Sequence, residues 1–211
     1  MRLLAITPIV VDEAELARRQ ARYDELAPDG VRVVLERLEE GPRALETEAD
    51  MRASEEALLA RYRQADPAEW DGFLPDCVLD PLVDGDHGLQ RPVFGIGRLA
   101  AGFVAAQGGR LGAVARNAAI AAELDRRLAS YGVATVAPTA VLDLAVEDIS
   151  DDAVWAAAVA RTVDGLDCDF VLNACSAVEV EEQRSAPYLL DPTAAALALL
   201  AHRGAVTGVR A

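Results

Sequence analysis

Two segments of the chain, 71–77 and 169–175, repeat one pattern: an Asp is followed six residues later by a cysteine, with an apolar run between them. The two cysteines are Cys77 and Cys175. A chain that repeats one unit is expected to fold into two similar halves. Equivalent residues of such halves face each other across a pseudo-twofold axis, so the repeat predicts that the two thiols meet at one site.

Further matches follow in the same order along the chain. The string that starts at Arg110 resembles the one that starts at Arg2, and Gly132 separates a helix-like segment from a strand-like segment as Gly30 does. Matches in a constant order indicate a duplicated unit with small deletions in the second copy.

Strand-like and helix-like segments alternate along both halves, which predicts an α/β fold with parallel sheets flanked by helices. Ligands bind such sheets beyond the carboxyl ends of the strands, and Cys77 and Cys175 each follow a predicted strand. The predicted strands are 2–7, 31–35, 72–76, 93–96, 110–114, 133–136, 170–174 and 188–190, and the predicted helices are 13–26, 49–62, 99–106, 118–130, 153–163 and 193–201.

Charge and residue usage exclude several classes of function. A net charge of -15 repels nucleic acid phosphates and anionic membranes, so we expect neither as a partner. The chain contains no lysine, which excludes the Schiff base that pyridoxal phosphate requires. With only two histidines, a His-rich zinc site is not expected either, and we expect no cofactor and no metal. The expected partner is a small-molecule substrate, and a homo-oligomer is compatible with the sequence.

Hydropathy and cysteine usage bear on location. No apolar run reaches the roughly 18 residues that a membrane span needs. The first apolar run stops at Thr7-Pro8, too short for the core of a signal peptide, and it is expected to be a strand. An odd number of cysteines, three, favours reduced thiols. We therefore expect a cytoplasmic protein.

A pair of thiols facing each other can move protons at carbon. One thiolate removes the acidic proton beside a carbonyl while the other thiol protonates the opposite face, and the roles exchange for the other enantiomer. The ordinary thiol pKa of about 8.5 needs modest tuning for this task. Backbone N–H groups after each cysteine can hold an enolate oxygen. The alternative role of any such cysteine is that of a small buried apolar residue, which is the role expected of Cys168.

The sequence around each cysteine is specific. Segment 76–81 reads Asp-Cys-Val-Leu-Asp-Pro and segment 172–177 reads Leu-Asn-Ala-Cys-Ser-Ala. A Gly-Pro-Arg-Ala-Leu-Glu string precedes them at 41–46, and 92–96 and 190–192 follow the two cysteines. With these motifs the chain resembles the cofactor-independent aspartate/glutamate/hydantoin racemases, and the hydantoin racemase branch in particular.

The resemblance implies two pseudo-symmetric domains, 1–95 plus 190–211 and 96–189, with the active site in the cleft between them. It also implies that Cys77 and Cys175 are the catalytic acid/base pair. The candidate substrate-binding residues are Thr7, Val78, Arg116, Asn117, Ser176 and Ala177.

Several positions leave alternatives open. The loop at 7–10 is mostly apolar where the family has an Asn-Pro-Asn-Thr-like loop, which favours a substrate less polar than aspartate. Asp76 takes the place of a small residue; its carboxylate either raises the pKa of the Cys77 thiol or faces away from it. Arg116 either clamps a carboxylate or faces solvent, and Ser176 either contacts substrate or caps the next turn. Asp80 and Asp191 each precede a proline, which favours helix capping.

The sequence thus predicts an isomerase, a cofactor-independent racemase or epimerase that acts on the acidic Cα–H of a small amino acid, hydantoin or related carboxylate. One alternative is a decarboxylase or a cis-trans isomerase of a dicarboxylic acid on the same scaffold. Another is a non-catalytic protein that binds a small molecule, against which two cysteines in family positions argue.

Overall fold

The described residues of this computed structural model are 1–163, 165–180 and 186–207, and they form two parallel sheets flanked by helices. The predicted α/β fold class is therefore confirmed. The strands are β1 (Arg2–Ile6), β2 (Arg32–Glu36), β3 (Gly72–Pro75), β4 (Leu111–Ala115), β5 (Ala140–Val141), β6 (Phe170–Asn173) and β7 (Tyr188–Leu190), and the helices are α1 (Glu13–Leu26), α2 (Glu48–Gln64), α3 (Ile96–Ala106), α4 (Ala118–Ser130), α5 (Asp152–Val163) and α6 (Pro192–Thr207).

The two sheets share one arrangement around a central strand. The first sheet has the order β2-β1-β3 and the second has the order β5-β4-β6-β7. All pairs are parallel. The central strands β1 and β4 each pair with a strand that ends two residues before a cysteine: β3 before Cys77 and β6 before Cys175. A helix lies between each pair of successive strands from β1 to β6, as parallel crossover connections favour.

The repeated aspartates have the same structural role in both halves. The backbone N–H of Arg2 donates to the Asp71 carboxylate at 2.6 Å, and the backbone N–H of Arg110 donates to the Asp169 carboxylate at 2.8 Å. In return, Asp71 and Asp169 donate their own N–H groups to the carbonyls of Arg2 and Arg110. Each aspartate therefore fixes the register at the start of its strand pair.

The strand ends repeat as well. Asp76 donates its N–H to the Ile6 carbonyl and Ala174 donates its N–H to the Val114 carbonyl, both at 2.9 Å. Because the register is fixed at both ends, the residue that follows each of these positions lies just beyond its sheet edge. Those residues are Cys77 and Cys175, as the sequence predicts.

Strand residues alternate between two apolar layers. Leu3 and Ala5 of β1 face a central cluster that also holds Leu111 and Ala113 of β4, whereas Leu4 faces a separate cluster on the opposite side of the first sheet. Strands buried on both faces need continuous apolar runs, which is why these strands lack polar alternation. The shared central cluster packs elements of both sheets together.

Both aspartates that precede a proline cap a helix, but only Asp191 caps the helix that follows it directly. Asp191 accepts the N–H groups of Thr193 and Ala194 at the start of α6. The Asp80 carboxylate instead accepts the N–H groups of Gly97 and Arg98, and so caps α3 rather than the segment that follows it directly. This contact ties the turn after Cys77 to the first turn of α3.

Two predicted strands are shorter than expected. The 93–96 strand is reduced to one bridge between Val93 and Phe73, since α3 already begins at Ile96. The 133–136 strand is reduced to a bridge at Thr135, because the N–H of Val133 still bonds to the Leu128 carbonyl at the end of α4. The β-branched residues there follow a helix end, and the edge strand forms later, at β5.

The last helix packs against α3 and also contacts α1. The expected domain extents, 1–95 plus 190–211 and 96–189, stay a prediction; residues 164, 181–185 and 208–211 of these extents lie outside the described residues. Within the described part of the chain, no helix is long and apolar enough to cross a bilayer.

Two glycines of α3 provide a matched test of how closely this helix packs on the first cysteine loop. A Cβ at Gly97 would lie 2.1 Å from the Val78 carbonyl oxygen, whereas a Cβ at Gly102 would meet nothing within 4 Å. We expect Gly97→Ala to lower the free energy of unfolding by about 1–3 kcal/mol through overpacking. Gly102→Ala should raise it by about 0.5–1 kcal/mol, because alanine is the better helix former. Urea unfolding of both variants checks this, and a Gly97→Ala protein as stable as the wild type would contradict it.

Candidate active site

Both cysteines line one cavity, with an empty volume of about 480 Å³ including its mouth. Most of its wall comes from segments directly after the carboxyl ends of β1, β3, β4 and β6, which is where parallel sheets bind ligands. The lining residues are mostly apolar and are Pro8, Ile9, Arg19, Leu45, Asp76, Cys77, Val78, Leu79, Arg116, Ile120, Val146, Ile149, Ala174, Cys175 and Ser176.

A direct hydrogen bond joins the two cysteine loops. The hydroxyl of Ser176 donates to the backbone carbonyl of Asp76 at 3.0 Å. The carbonyl of Ser176 in turn accepts from the Thr193 hydroxyl and from Nε of Arg22. The hydroxyl of Ser176 is therefore committed to positioning the loop beside Cys77, although the residue also lines the cavity.

Arginines of α1 hold the second cysteine loop in place. Arg18 donates to the Ala177 carbonyl at 2.9 Å, and Arg22 pairs with Asp191 at 2.7 Å as well as bonding to Ser176. Helix α1 packs on the first sheet, so these contacts connect the first half to the loop that follows β6. The positions of the two thiols are thereby fixed relative to each other.

Asp76 carries the most deeply buried charge of the cavity wall. Its side chain is 1% exposed, and it accepts from Nη1 of Arg19 at 3.0 Å and from the Tyr23 hydroxyl at 2.8 Å. Arg19 is itself 6% exposed and bonds through Nε to Glu15 at 2.6 Å. Burial of this carboxylate is tolerated because it is paired and hydrogen-bonded on both oxygens.

Burial raises the pKa of both thiols, but their charged neighbours differ. Burial, together with the charges of Asp80 and Asp76, raises the pKa of Cys77 to about 12. Burial also raises the pKa of Cys175, and the Arg19 guanidinium is the first influence that lowers it. The thiolate form is therefore favoured more at Cys175 than at Cys77.

Each sulfur accepts a backbone N–H from the residue two positions on. Leu79 donates to Cys77 and Ala177 donates to Cys175, and both bonds lower the pKa of their thiol. This arrangement repeats in both halves, and a thiolate on either side would be stabilised by it. Ala177 thus touches Cys175, although it is not part of the cavity wall.

Arg116 and Asn117 bind a neighbouring loop. Arg116 donates to the carbonyls of Leu144 and Leu45 and pairs with Glu46 at 2.7 Å. Asn117 caps α4 by accepting the Ile120 N–H, and its amide donates to Leu45 and Glu46. Arg116 lines the cavity with its guanidinium already engaged, and Asn117 lies outside the wall.

Of the two remaining candidate residues, one lines the cavity and the other does not. Val78 lines the cavity, whereas Thr7 is fully buried behind it, donating to the Ile9 carbonyl and accepting the Leu38 N–H. The predicted substrate-binding roles of all six residues stay predictions, and the geometry places only Val78, Arg116 and Ser176 in the wall. No three of the His, Cys, Asp and Glu side chains in the described ranges are grouped so as to hold a metal ion.

Sequence reasoning missed Arg19 and the apolar wall contributed by Val146 and Ile149. The sequence leaves open which way the Asp76 carboxylate faces, so it does not show that a buried cation lies nearby. Nothing in the sequence selects Arg19 among twenty arginines, since long-range ion pairs leave no local pattern. Ile149 lies in a short 3-10 turn, Glu147–Ser150, and Val146 directly precedes that turn. This stretch has neither strand nor helix periodicity in the sequence.

Comparison with known proteins assigns this architecture. The family model described as Asp/Glu/Hydantoin racemase matches residues 14–200. No curated protein matches the chain in sequence. Among solved structures, an allantoin racemase from Pseudomonas fluorescens superposes with a TM-score of 0.82 at 19% identity, covering 99% of this chain and 92% of that one.

Two further structures share the fold. An allantoin racemase from Klebsiella pneumoniae gives a TM-score of 0.78 at 18% identity, covering 98% of this chain and 89% of its own. The aspartate racemase of Picrophilus torridus gives 0.67 at 13% identity, covering 97% and 94%. At these identities the likenesses show the fold.

The bond between the cysteine loops can be tested with two serines. We expect Ser176→Ala to lower the free energy of unfolding by about 1–3 kcal/mol, because it leaves the buried Asp76 carbonyl without this donor. Ser150→Ala is the matched control: that hydroxyl donates to the Glu147 carbonyl on the surface, and its loss should cost less than about 0.5 kcal/mol. Thermal unfolding followed by circular dichroism compares the two, and equal effects would show that the loops are not coupled through Ser176.

Proposed function

The chain belongs to the Asp/Glu/hydantoin racemase family, and on this premise we propose that it is a cofactor-independent racemase or epimerase with Cys77 and Cys175 as its acid/base pair. Racemases are isomerases, so family membership confirms the enzyme class that the sequence predicts. The observation that carries the proposal is that both thiols line one cavity, each directly after an equivalent strand end.

The proposed reaction transfers one proton at each face of a carbon. The thiolate of one cysteine takes the proton from a Cα–H beside a carbonyl and becomes a thiol, and the electron pair moves onto the carbonyl oxygen. The thiol of the other cysteine then protonates the opposite face and becomes a thiolate. Charge and protons balance within the pair, and each cysteine is left ready for the opposite enantiomer.

The cavity wall supports a substrate with an apolar substituent. Ile9, Val78 and Ile120 are apolar, as is most of the remaining lining. The charged groups of the described wall are already paired: Arg19 with Asp76, and Arg116 with Glu46. A dicarboxylate would need a further cation, so we favour a cyclic amide of the hydantoin type or a small amino acid with one carboxylate. The fold likeness to two allantoin racemases is consistent with the cyclic amide.

The cysteines are tested by deuterium exchange at carbon. In D2O, the wild type should incorporate deuterium into one or more hydantoins or amino acids of a panel, with loss of chirality. Cys77→Ser and Cys175→Ser should each lower the rate of inversion by about 10²–10⁴-fold, the usual contribution of a positioned acid or base. Cys168→Ser is the control, because that thiol packs in the core beside Gly112 and is not part of the wall; inversion should survive it.

Other outcomes would replace the proposal. If substituted malonates included in the panel lose carbon dioxide and only one cysteine matters, the protein is a decarboxylase on the same scaffold. If cis-enedioic acids isomerise instead, it is a cis-trans isomerase. If ligands bind equally to both cysteine variants and nothing exchanges, the protein binds a small molecule without catalysis.

The pH dependence of the reaction follows from the thiols. A two-base racemase needs one thiolate, and burial raises the pKa of both cysteines above that of an ordinary thiol. Below the lower of the two pKa values, kcat/KM should rise about tenfold per pH unit, and it should fall once Cys77 also loses its proton near pH 12. Initial rates between pH 6.5 and 10 check the rising limb, and a plateau from pH 7 to 9 would contradict it.

A further inference from the structure

We propose that Arg19 is a positioning residue that makes the two cysteines unequal, so that Cys175 forms its thiolate more readily than Cys77, which stays a thiol. The inference rests on the proposed function, which requires one group of each kind. Cys175 would then be the first cysteine to act as base, and Arg19 of α1 would select it.

Arg19 lines the cavity that both cysteine loops border. Its guanidinium lines the same cavity as both thiols and lies 3.0 Å from the Asp76 carboxylate, directly before Cys77 in the chain. Glu15 orients it from one turn earlier on α1. It cannot swing into solvent without unpairing two carboxylates, so its charge stays within the cavity wall.

The charges that face Cys175 come from three elements. Arg19 and Arg22 of α1 favour its thiolate, and Asp76 beyond β3 opposes it. Arg22 is partly neutralised by Asp191 at the start of α6. Arg18, also on α1, bonds to the carbonyl of the following loop.

The charges that face Cys77 are acidic or paired. Asp76 and Asp80 both disfavour its thiolate. Cys77 also lines a small second cavity together with Glu55, Glu123 and Arg127. There Arg127 forms ion pairs with both glutamates. Cys77 therefore has no arginine in the role that Arg19 has for Cys175 among the groups described around it.

The residue before each cysteine is where the halves diverge. Asp76 and Ala174 occupy equivalent positions, each donating its N–H to the neighbouring central strand. The aspartate brings both a negative charge to Cys77 and a partner that holds Arg19 in the cavity. This one difference in the repeat thus contributes to the difference between the two thiols, beside the charge of Asp80.

The test uses two variants that break the same ion pair from opposite ends. Alkylation of each cysteine by iodoacetamide is followed from pH 6.5 to 10 by mass spectrometry of the separated peptides. Arg19→Gln should slow alkylation of Cys175 at pH 8 by about tenfold, equivalent to its titration moving up one pH unit. Asp76→Asn, which can still accept from Tyr23, should speed it by a similar factor.

A merely structural ion pair predicts something different. Loosening the cavity wall would expose Cys175 in both variants and speed alkylation in both. Equal directions of change, or no change at Cys175 in Arg19→Gln, would overturn the proposal. Faster alkylation of Cys77 than of Cys175 in the wild type would overturn it too.

Three controls keep the outcome interpretable. Arg19→Lys retains the charge and should restore Cys175 reactivity to within about threefold of the wild type, which a variant that fails only in packing would not do. Arg110→Gln breaks an exposed pair with Asp167 and should change nothing at Cys175. Circular dichroism confirms that each variant is folded before its thiols are compared.

The readout is independent of turnover. Alkylation needs no substrate, so unequal thiols would be seen even if deuterium exchange revealed no racemase. Conversely, racemisation that depends on both cysteines without opposite shifts in the two variants would leave the proposed function standing and remove the role of Arg19.

Discussion

The rest of the structure depends on one buried carboxylate, that of Asp76. A charge that is 1% exposed is costly unless it is paired and hydrogen-bonded; from α1, Arg19 pairs with it and the Tyr23 hydroxyl donates to it. The same residue accepts the Ser176 hydroxyl on its backbone carbonyl and precedes Cys77 in the chain. Satisfying this single group therefore fixes a helix and both cysteine loops relative to one another, which a proton transfer across two faces of a carbon requires.

The two halves share backbone geometry and differ in charge. Aspartates clasp the strand starts in the same way, and an N–H two residues on reaches each sulfur. The symmetric part of the fold delivers two thiols to one cavity. The asymmetric part, Asp76 and Arg19, gives those thiols different charged neighbours.

The helices, the strands and the repeat can be predicted from the sequence. Side-chain contacts between residues far apart in the chain cannot. Helices at 13–26 and 118–130 agree with α1 and α4 because their caps and apolar spacing are local signals. The meeting of the cysteines followed from a repeat, which carries long-range information. Arg19 was not predictable, since a helix surface pattern does not say which arginine is buried. Arg116 was expected to clamp a carboxylate or face solvent, but Leu144, Leu45 and Glu46 engage it, and only folding brings these segments together.

The repeated strand clasp also has an evolutionary consequence. Each half has its own sheet, its own aspartate at the start of the strand pair and its own cysteine, and so resembles a subunit that could pair with an identical copy. In such a dimer every mutation appears twice. Once both copies lie in one polypeptide, a substitution can enter one side alone, as an aspartate stands at 76 where an alanine stands at 174. Fusion of the halves would thus permit an ancestor with two identical thiols to acquire the division of labour that is proposed for them.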